Sequence, residues 1–191
     1  MRRMVDAGHG GSMNPVLITI AACEIGFWAF VVGGLALRYL ARLTRASTIV
    51  LACVPLIDLV LLIAVTVDLA RGGDVEFAHR LAPIYLGGTL MFGHRMIAWA
   101  DVRFAHRFAD GPAPVPIPST GPVRARHEWS DFGRWLGAVA IAAVITAALG
   151  YTVADSTQRE AMFGSFGMLG TITVIWLLTG PVWYSFKDQA A

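Results

Sequence analysis

The sequence predicts an all-α fold: a polytopic membrane helix bundle of about five transmembrane helices, N-terminus outside and C-terminus cytoplasmic. Three observations lead there. The 191-residue chain is 56% hydrophobic and only 15% charged, with a mean hydropathy of +0.61, whereas soluble domains are about a quarter charged. Its apolar residues gather into runs close to the roughly 20 residues that a helix needs to cross a bilayer. Its arginines concentrate in alternate connections between those runs, the pattern that sets membrane topology. The net charge of +2 and pI near 8.8 reflect that placement and not nucleic-acid binding, because the basic residues flank the apolar runs.

Residues 15–37 form the first predicted span, broken only by Glu24, and residues 47–67 the second, broken only by Asp58. The fourth (135–154) and fifth (161–186) contain no charged residue. The third is shorter: residues 81–93 are apolar, then His94 and Arg95 intervene before residues 96–100 resume the run. A helix from 81 to about 100 spans, with Arg95 either snorkelling to the inner headgroups or paired inside the bundle. A re-entrant segment is the alternative for so short a run. The first run is too long for the cleaved segment of a signal peptide and carries Glu24, so it is expected to be retained. Residues 1–14 are expected to be a disordered tail, in which Met4 or Met13 would serve equally as the start.

Arg38, Arg42 and Arg45 follow the first run; Arg103, Arg107, Arg124, Arg126 and Arg134 lie between the third and fourth; Lys187 follows the fifth. The other side holds the tail arginines Arg2 and Arg3, then Arg71, Arg80 and Arg159, diluted by Asp68, Asp74, Glu76, Asp155 and Glu160. Lysine and arginine mark the cytoplasmic side, which fixes the predicted orientation. Residues 110–126 contain Pro112, Pro114, Pro116, Pro118 and Pro122. Alternating prolines favour an extended chain over a helix. This segment is therefore predicted as a cytoplasmic linker between a three-span half (15–109) and a two-span half (127–191).

Glu24 and Asp58 are the predicted ion- or proton-binding residues. Each lies about ten residues into its run, roughly 15 Å deep. Because the two helices run in opposite directions, both carboxyls fall near the midplane. A charge there costs several kcal/mol, and an ionisable residue is by default a functional candidate. His94 and Arg95 sit roughly 5 Å nearer the cytoplasm and are the nearest expected partners. Without Arg95 the carboxyls hold their protons, since desolvation penalises the charged form. They would then act as packing glue, bonded across the bundle to Thr146, Thr171 or Thr173.

His94 and Asp101 share one face of the third helix with Ile97, Phe104 and Phe108, two turns apart and too distant for a direct bond. His94 is expected either to bind a ligand or to tie the third helix to a neighbour. Trp99, Arg103, His106 and Arg107 occupy the opposite face. The helix is expected to continue as an amphipathic stretch with Trp99, Arg103 and Arg107 at the membrane surface.

Other chemistry is poorly supplied. Cys23 points about 100° from Glu24, and Cys53 about 140° from Asp58, so neither carboxylate has a thiol beside it for a metal. Both cysteines fall in apolar runs, as buried thiols do. His94 is the only histidine expected within a span, which leaves bis-histidine haem without a second ligand. Phe77-Ala78-His79-Arg80 recurs as Phe104-Ala105-His106-Arg107, but these histidines do not line one face. No phosphate-binding loop, nucleophile elbow or His-Glu-x-x-His is present. The sequence thus offers no catalytic residue, metal set or cofactor motif. Its expected partners are the lipid bilayer and either a second copy or another membrane protein. Gly137, Ala140, Ala143 and Ala147, then Gly164, Gly167 and Gly170, space small residues for close helix approach, inside the bundle or in a homodimer. Gly180-Pro181 is expected to kink the fifth span.

Several stretches resemble one family. They are Glu24-Ile25-Gly26-Phe27-Trp28, Gly34-Leu35-Ala36-Leu37-Arg38-Tyr39, Val54-Pro55-Leu56-Ile57-Asp58, Phe92-Gly93-His94-Arg95-Met96, Trp99-Ala100-Asp101 and His127-Glu128-Trp129. Through them the chain resembles the YmcC-like family of small bacterial, notably actinobacterial, integral membrane proteins, a family without an assigned activity. The resemblance covers the first three spans and the approach to the fourth. It implies topology and location and supplies no chemistry. Two functions stay open: transport or sensing of a proton or small cation through Glu24 and Asp58, and a non-catalytic scaffold or accessory subunit of a larger complex.

Overall fold

The computed structural model describes residues 15–41, 43–109 and 111–189; the predicted tail, residues 1–14, lies outside them. The described elements are helical throughout: α1 (Pro15–Tyr39), α2 (Thr44–Ala52), α3 (Val54–Ala70), α4 (Phe77–Phe108), α5 (Pro122–Thr152), α6 (Ser156–Leu177), a π-helical turn (Leu178–Val182) and α7 (Trp183–Gln189). Three stretches are long and apolar enough to cross a membrane: Arg45–Ala70, Pro122–Thr152 and Ser156–Lys187. They contain the second and fifth predicted spans and all but the last two residues of the fourth. In α1 the described apolar piece is Trp28–Tyr39. α4 falls short of the same standard because His94 and Arg95 interrupt its apolar stretch. It is nevertheless one unbroken helix of 32 residues, about 48 Å long at 1.5 Å per residue.

Proline sets the irregularities. Pro55 lies in the first turn of α3, where its missing N–H is harmless; a helix continuing from α2 would collide with its ring. The second predicted span is therefore two helices and not one, meeting at Cys53, whose N–H bonds to the carbonyls of Ile49 and Val50 at 3.1 Å each. Pro122 occupies the first turn of α5, a position that suits its fixed φ. That helix accordingly begins inside the segment expected to be linker, and residues 111–121 hold neither helix nor strand. At Pro181 the chain widens into the π-helical turn, at the site of the expected kink.

Val54, Asp58, Leu61, Val65 and Leu69 are the buried residues of α3, a single stripe at helical spacing. Leu61, Val65 and Leu69 pack with Ala82 of α4, Leu149 of α5 and Met162 of α6 into one apolar core. A polar lock closes the end of the bundle beside it. Gly72, with φ of 81°, supplies the left-handed residue that ends α3. Asp155 caps α6, its carboxylate accepting from the Gln158 N–H at 2.8 Å while the Gln158 amide oxygen accepts from the Asp155 N–H at 2.9 Å. This reciprocal box leaves the Gln158 NH2 free to donate across the bundle, to the carbonyls of Leu69 at 3.2 Å and Gly73 at 2.8 Å.

α4 and α5 approach closely at Gly87. A Cβ there would lie 2.4 Å from the Ala138 carbonyl oxygen, whereas one on Gly88 would meet nothing within 4 Å. In lipid, such backbone proximity and not the hydrophobic effect drives helix association. Gly87→Ala is expected to lower stability in mild detergent by about 1–3 kcal/mol, the usual cost of overpacking, while Gly88→Ala stays near wild type. Equal unfolding midpoints for the two variants would show that the approach does not matter.

Candidate functional site

Asp58 faces inward from α3, 7% exposed. Within Arg45–Ala70, 26 residues long, it stands thirteen residues from one end and twelve from the other, about 18–20 Å by helical rise. Thr89 of α4 is a polar neighbour of its carboxyl. Oδ2 is buried with no hydrogen-bond partner among the described residues. The threonines expected to meet a midplane carboxyl are engaged elsewhere: Thr171 donates to the Gly167 carbonyl, and Thr173 accepts from Trp135 Nε1 at 2.9 Å and donates to the Leu169 carbonyl. Thr146 is buried on α5. Glu24 belongs to α1, but its side chain, like that of Cys23, lies outside the described residues, and so does any pairing of Glu24 with Asp58.

The charge on Arg95 is engaged by α5. It pairs with Asp131, and its Nη2 lies 2.6 Å from His127 Nε2. Arg134 donates to the same Asp131 oxygen at 3.0 Å, and His127 Nε2 stands 3.4 Å from the other. One carboxylate thus gathers two guanidinium groups and an imidazole at the α4–α5 seam. The reason is position: α4 crosses α5 closely, and Asp131 is level with Arg95 near the helix end, where a charge pair keeps partial hydration. One turn before Asp131, Glu128 holds Arg124 at 2.5 Å, and Arg124 lies 4.8 Å over the Tyr184 ring of α7. Trp129 Nε1 donates to Ser185 Oγ at 3.1 Å, fastening α7 to α5.

Asp101 finds its partners on α1. Tyr39 Oη donates to Asp101 Oδ1 at 2.7 Å, and Arg38 Nε lies 3.3 Å from the same oxygen. Tyr39 also packs on Phe104, and Phe104 on Phe108, so the Asp101 face of α4 turns toward α1. The opposite face is exposed, with the Arg103 guanidinium 3.7 Å above the Trp99 ring and Arg107 beside it. His94 is exposed and makes no hydrogen bond to another described residue. It is about 100° around α4 from Arg95, and Arg95 takes the α5-facing position.

His79, for which no role was expected, is fully buried. Its Nδ1 accepts from the Glu76 N–H at 3.2 Å and its Nε2 faces Asp68 Oδ2 at 3.0 Å. An accepting Nδ1 carries no proton, so Nε2–H is the donor to Asp68. His79 thus sits in the first turn of α4, at the end of that helix opposite Asp101. Among the described residues no group of three or more His, Cys, Asp or Glu could hold a metal ion.

A bundle of apolar helices, joined by polar locks at its ends and holding a buried, incompletely satisfied carboxyl, is an integral membrane protein. The chain is 36% identical over 152 residues to the uncharacterized membrane protein YmcC of Bacillus subtilis (strain 168), an alignment covering 80% of this chain and 82% of that one. It belongs to the YmcC family of membrane proteins. No family model matches it, and no solved structure matches it.

Tyr39 lies just past the first apolar run, and its phenol is pushed above the ordinary value by partial burial, then by the bond to and charge of Asp101, with Arg38 opposing. A raised folded value means that the stability Tyr39 contributes is complete below pH of about 10 and is lost as pH climbs through the higher folded value. In the ultraviolet difference between wild type and Tyr39→Phe, the phenolate signal should therefore emerge above pH of about 10, and Asp101→Asn should bring it part of the way back. A difference titration centred at the free-tyrosine value would refute the Asp101 contact.

Proposed function

We propose that the chain is a multi-pass protein of the bacterial cytoplasmic membrane, with five crossings, the N-terminus outside and the arginine-rich end in the cytoplasm, and that Asp58 binds a proton or small cation in transport or sensing. The observation that carries this reading is the buried Asp58 carboxyl at the middle of its span, with Oδ2 unpartnered. Arg95, the nearest cation on α4 that depth counting offered, is committed to Asp131. An unneutralised carboxylate at that depth costs several kcal/mol, and a proton or small cation removes the cost. The site is then occupied or empty according to conditions, as transport and sensing both require. Glu24 is the second carboxyl that sequence assigns to this depth, from the neighbouring helix.

The alternative is a scaffold or accessory subunit. It draws support from α6, whose stretch Ser156–Lys187 is the least buried of the three candidate spans and whose Gly164, Gly167 and Gly170 each face open space. Such a face suits a partner helix or a second copy.

In proteoliposomes carrying an internal pH dye, wild type is expected to respond to an imposed pH or cation gradient, and Asp58→Asn to lose at least about tenfold of that response while keeping its helix content. Glu24→Gln tests the second carboxyl in the same way. A hydrophobic carbodiimide, which attacks protonated carboxyls in lipid, should label wild type at Asp58. An unlabelled Asp58 together with an unchanged response in both variants leaves the scaffold reading standing alone.

A further inference from the structure

The arginine-rich end of the bundle contains more cations than its own carboxylates neutralise, and the surplus is arranged as a collar. Three contacts locate the end: α1 meets the far part of α4 through Arg38, Tyr39 and Asp101, α4 meets α5 through Arg95 and Asp131, and α5 meets α7 through Trp129 and Ser185. Three carboxylates there are already matched from within. Asp101 has Arg38, Asp131 has Arg95 and Arg134, and Glu128 has Arg124. Five further cations, Arg45, Arg103, Arg107, Arg126 and Lys187, are exposed and form no ion pair with a described residue. They come from α2, α4, α5 and α7, so they surround the end and do not cluster on one helix.

Aromatic side chains mark the same level. Trp99 is 60% exposed, Trp129 48% and Trp183 62%, one each on α4, α5 and α7. Tryptophan prefers the boundary between hydrocarbon and headgroups. Arg103 is parked over Trp99, which holds its guanidinium where the indole reaches the headgroup layer. The α1 contact at Asp101 and Phe104 fixes the rotation of α4, and this rotation is what turns Trp99, Arg103 and Arg107 outward.

We propose that this collar binds anionic phospholipid headgroups, so that the protein selects phosphatidylglycerol-like lipids over zwitterionic ones. The partner is the lipid surface: the unpaired cations supply the complementary charge, each contributing attraction that fades within a screening length, and the tryptophans set the depth. The inference rests on the membrane placement of this end proposed above and not on Asp58. Vesicles with the same lipid in both leaflets make its test independent of which end faces the cytoplasm.

The full chain is reconstituted in phosphatidylcholine vesicles containing a fraction of brominated phosphatidylglycerol or, in parallel, brominated phosphatidylcholine, and tryptophan quenching is read. The brominated anionic lipid is expected to associate about threefold more strongly at low salt, and the preference should vanish near 1 M salt, where the screening length is about 3 Å. A variant combining Arg103→Gln, Arg107→Gln, Arg126→Gln and Lys187→Gln should show a ratio near one at low salt with unchanged helix content. Equal quenching by the two lipids in wild type overturns the proposal, as does a preference that the folded variant keeps. If that variant fails to fold, the salt titration of wild type decides, and a preference indifferent to salt overturns it.

Discussion

The approach of α4 to α5 at Gly87 is the constraint from which the rest of the bundle takes its spacing. α4 packs against α1, α3, α5 and α6, so its distance from α5 propagates to each neighbour. With the Ala138 carbonyl against the Gly87 backbone, the two antiparallel helices are also locked in register. Eight residues along α4 from Gly87, and seven back along α5 from Ala138, the chain rises by about 12 and 10.5 Å. Those steps end at Arg95 and Asp131, which is why the pair is level. A missing side chain in the middle thus positions a charge pair at the end.

The two ends of the bundle are closed by different chemistry. Beside the apolar core, Gln158, His79 and the carbonyls of Leu69 and Gly73 form the lock, mostly with uncharged donors and acceptors. At the other end Arg38, Arg95, Arg124 and Arg134 close it with charge. Between them the described interior is largely apolar, its buried polar side chains including Asp58, Thr146 and Ser165. Interhelical hydrogen bonds in lipid contribute on average only about 0.6 kcal/mol each, so neither closure dominates the stability. Their value is directional: each bond has one geometry, and together they leave α4 a single rotation.

Much of this was legible in the sequence and some was not. Span-length apolar runs announced α5 and α6, and Gly180-Pro181 announced the break after them. Asp58 stood out because one charge in an apolar run has no local explanation. The partners were harder. Arg95 and Asp131 are 36 residues apart, Tyr39 and Asp101 are 62 apart, and only the packing of helices brings them together. Local signals for the rest did exist. Asp155 and Gln158 have capping-box spacing, and Arg124–Glu128 and His127–Asp131 have the i, i+4 spacing of helix-surface pairs, but reading residues 110–126 as linker hid the first of those pairs. The division of the second span at Cys53 was written in Pro55, which hydropathy alone does not weigh.

The π-helical turn at Leu178–Val182 has a role beyond bending. A π turn accommodates one residue more than the α-helix around it, so all that follows is out of phase with what precedes. Were the same residues α-helical throughout, Tyr184 and Ser185 would be rotated by about 100°, away from Arg124 and Trp129. The turn therefore works as a phase adjuster. It allows the α6 face that meets α5 and the α7 face that meets α5 to follow different periodicities within one continuous rod.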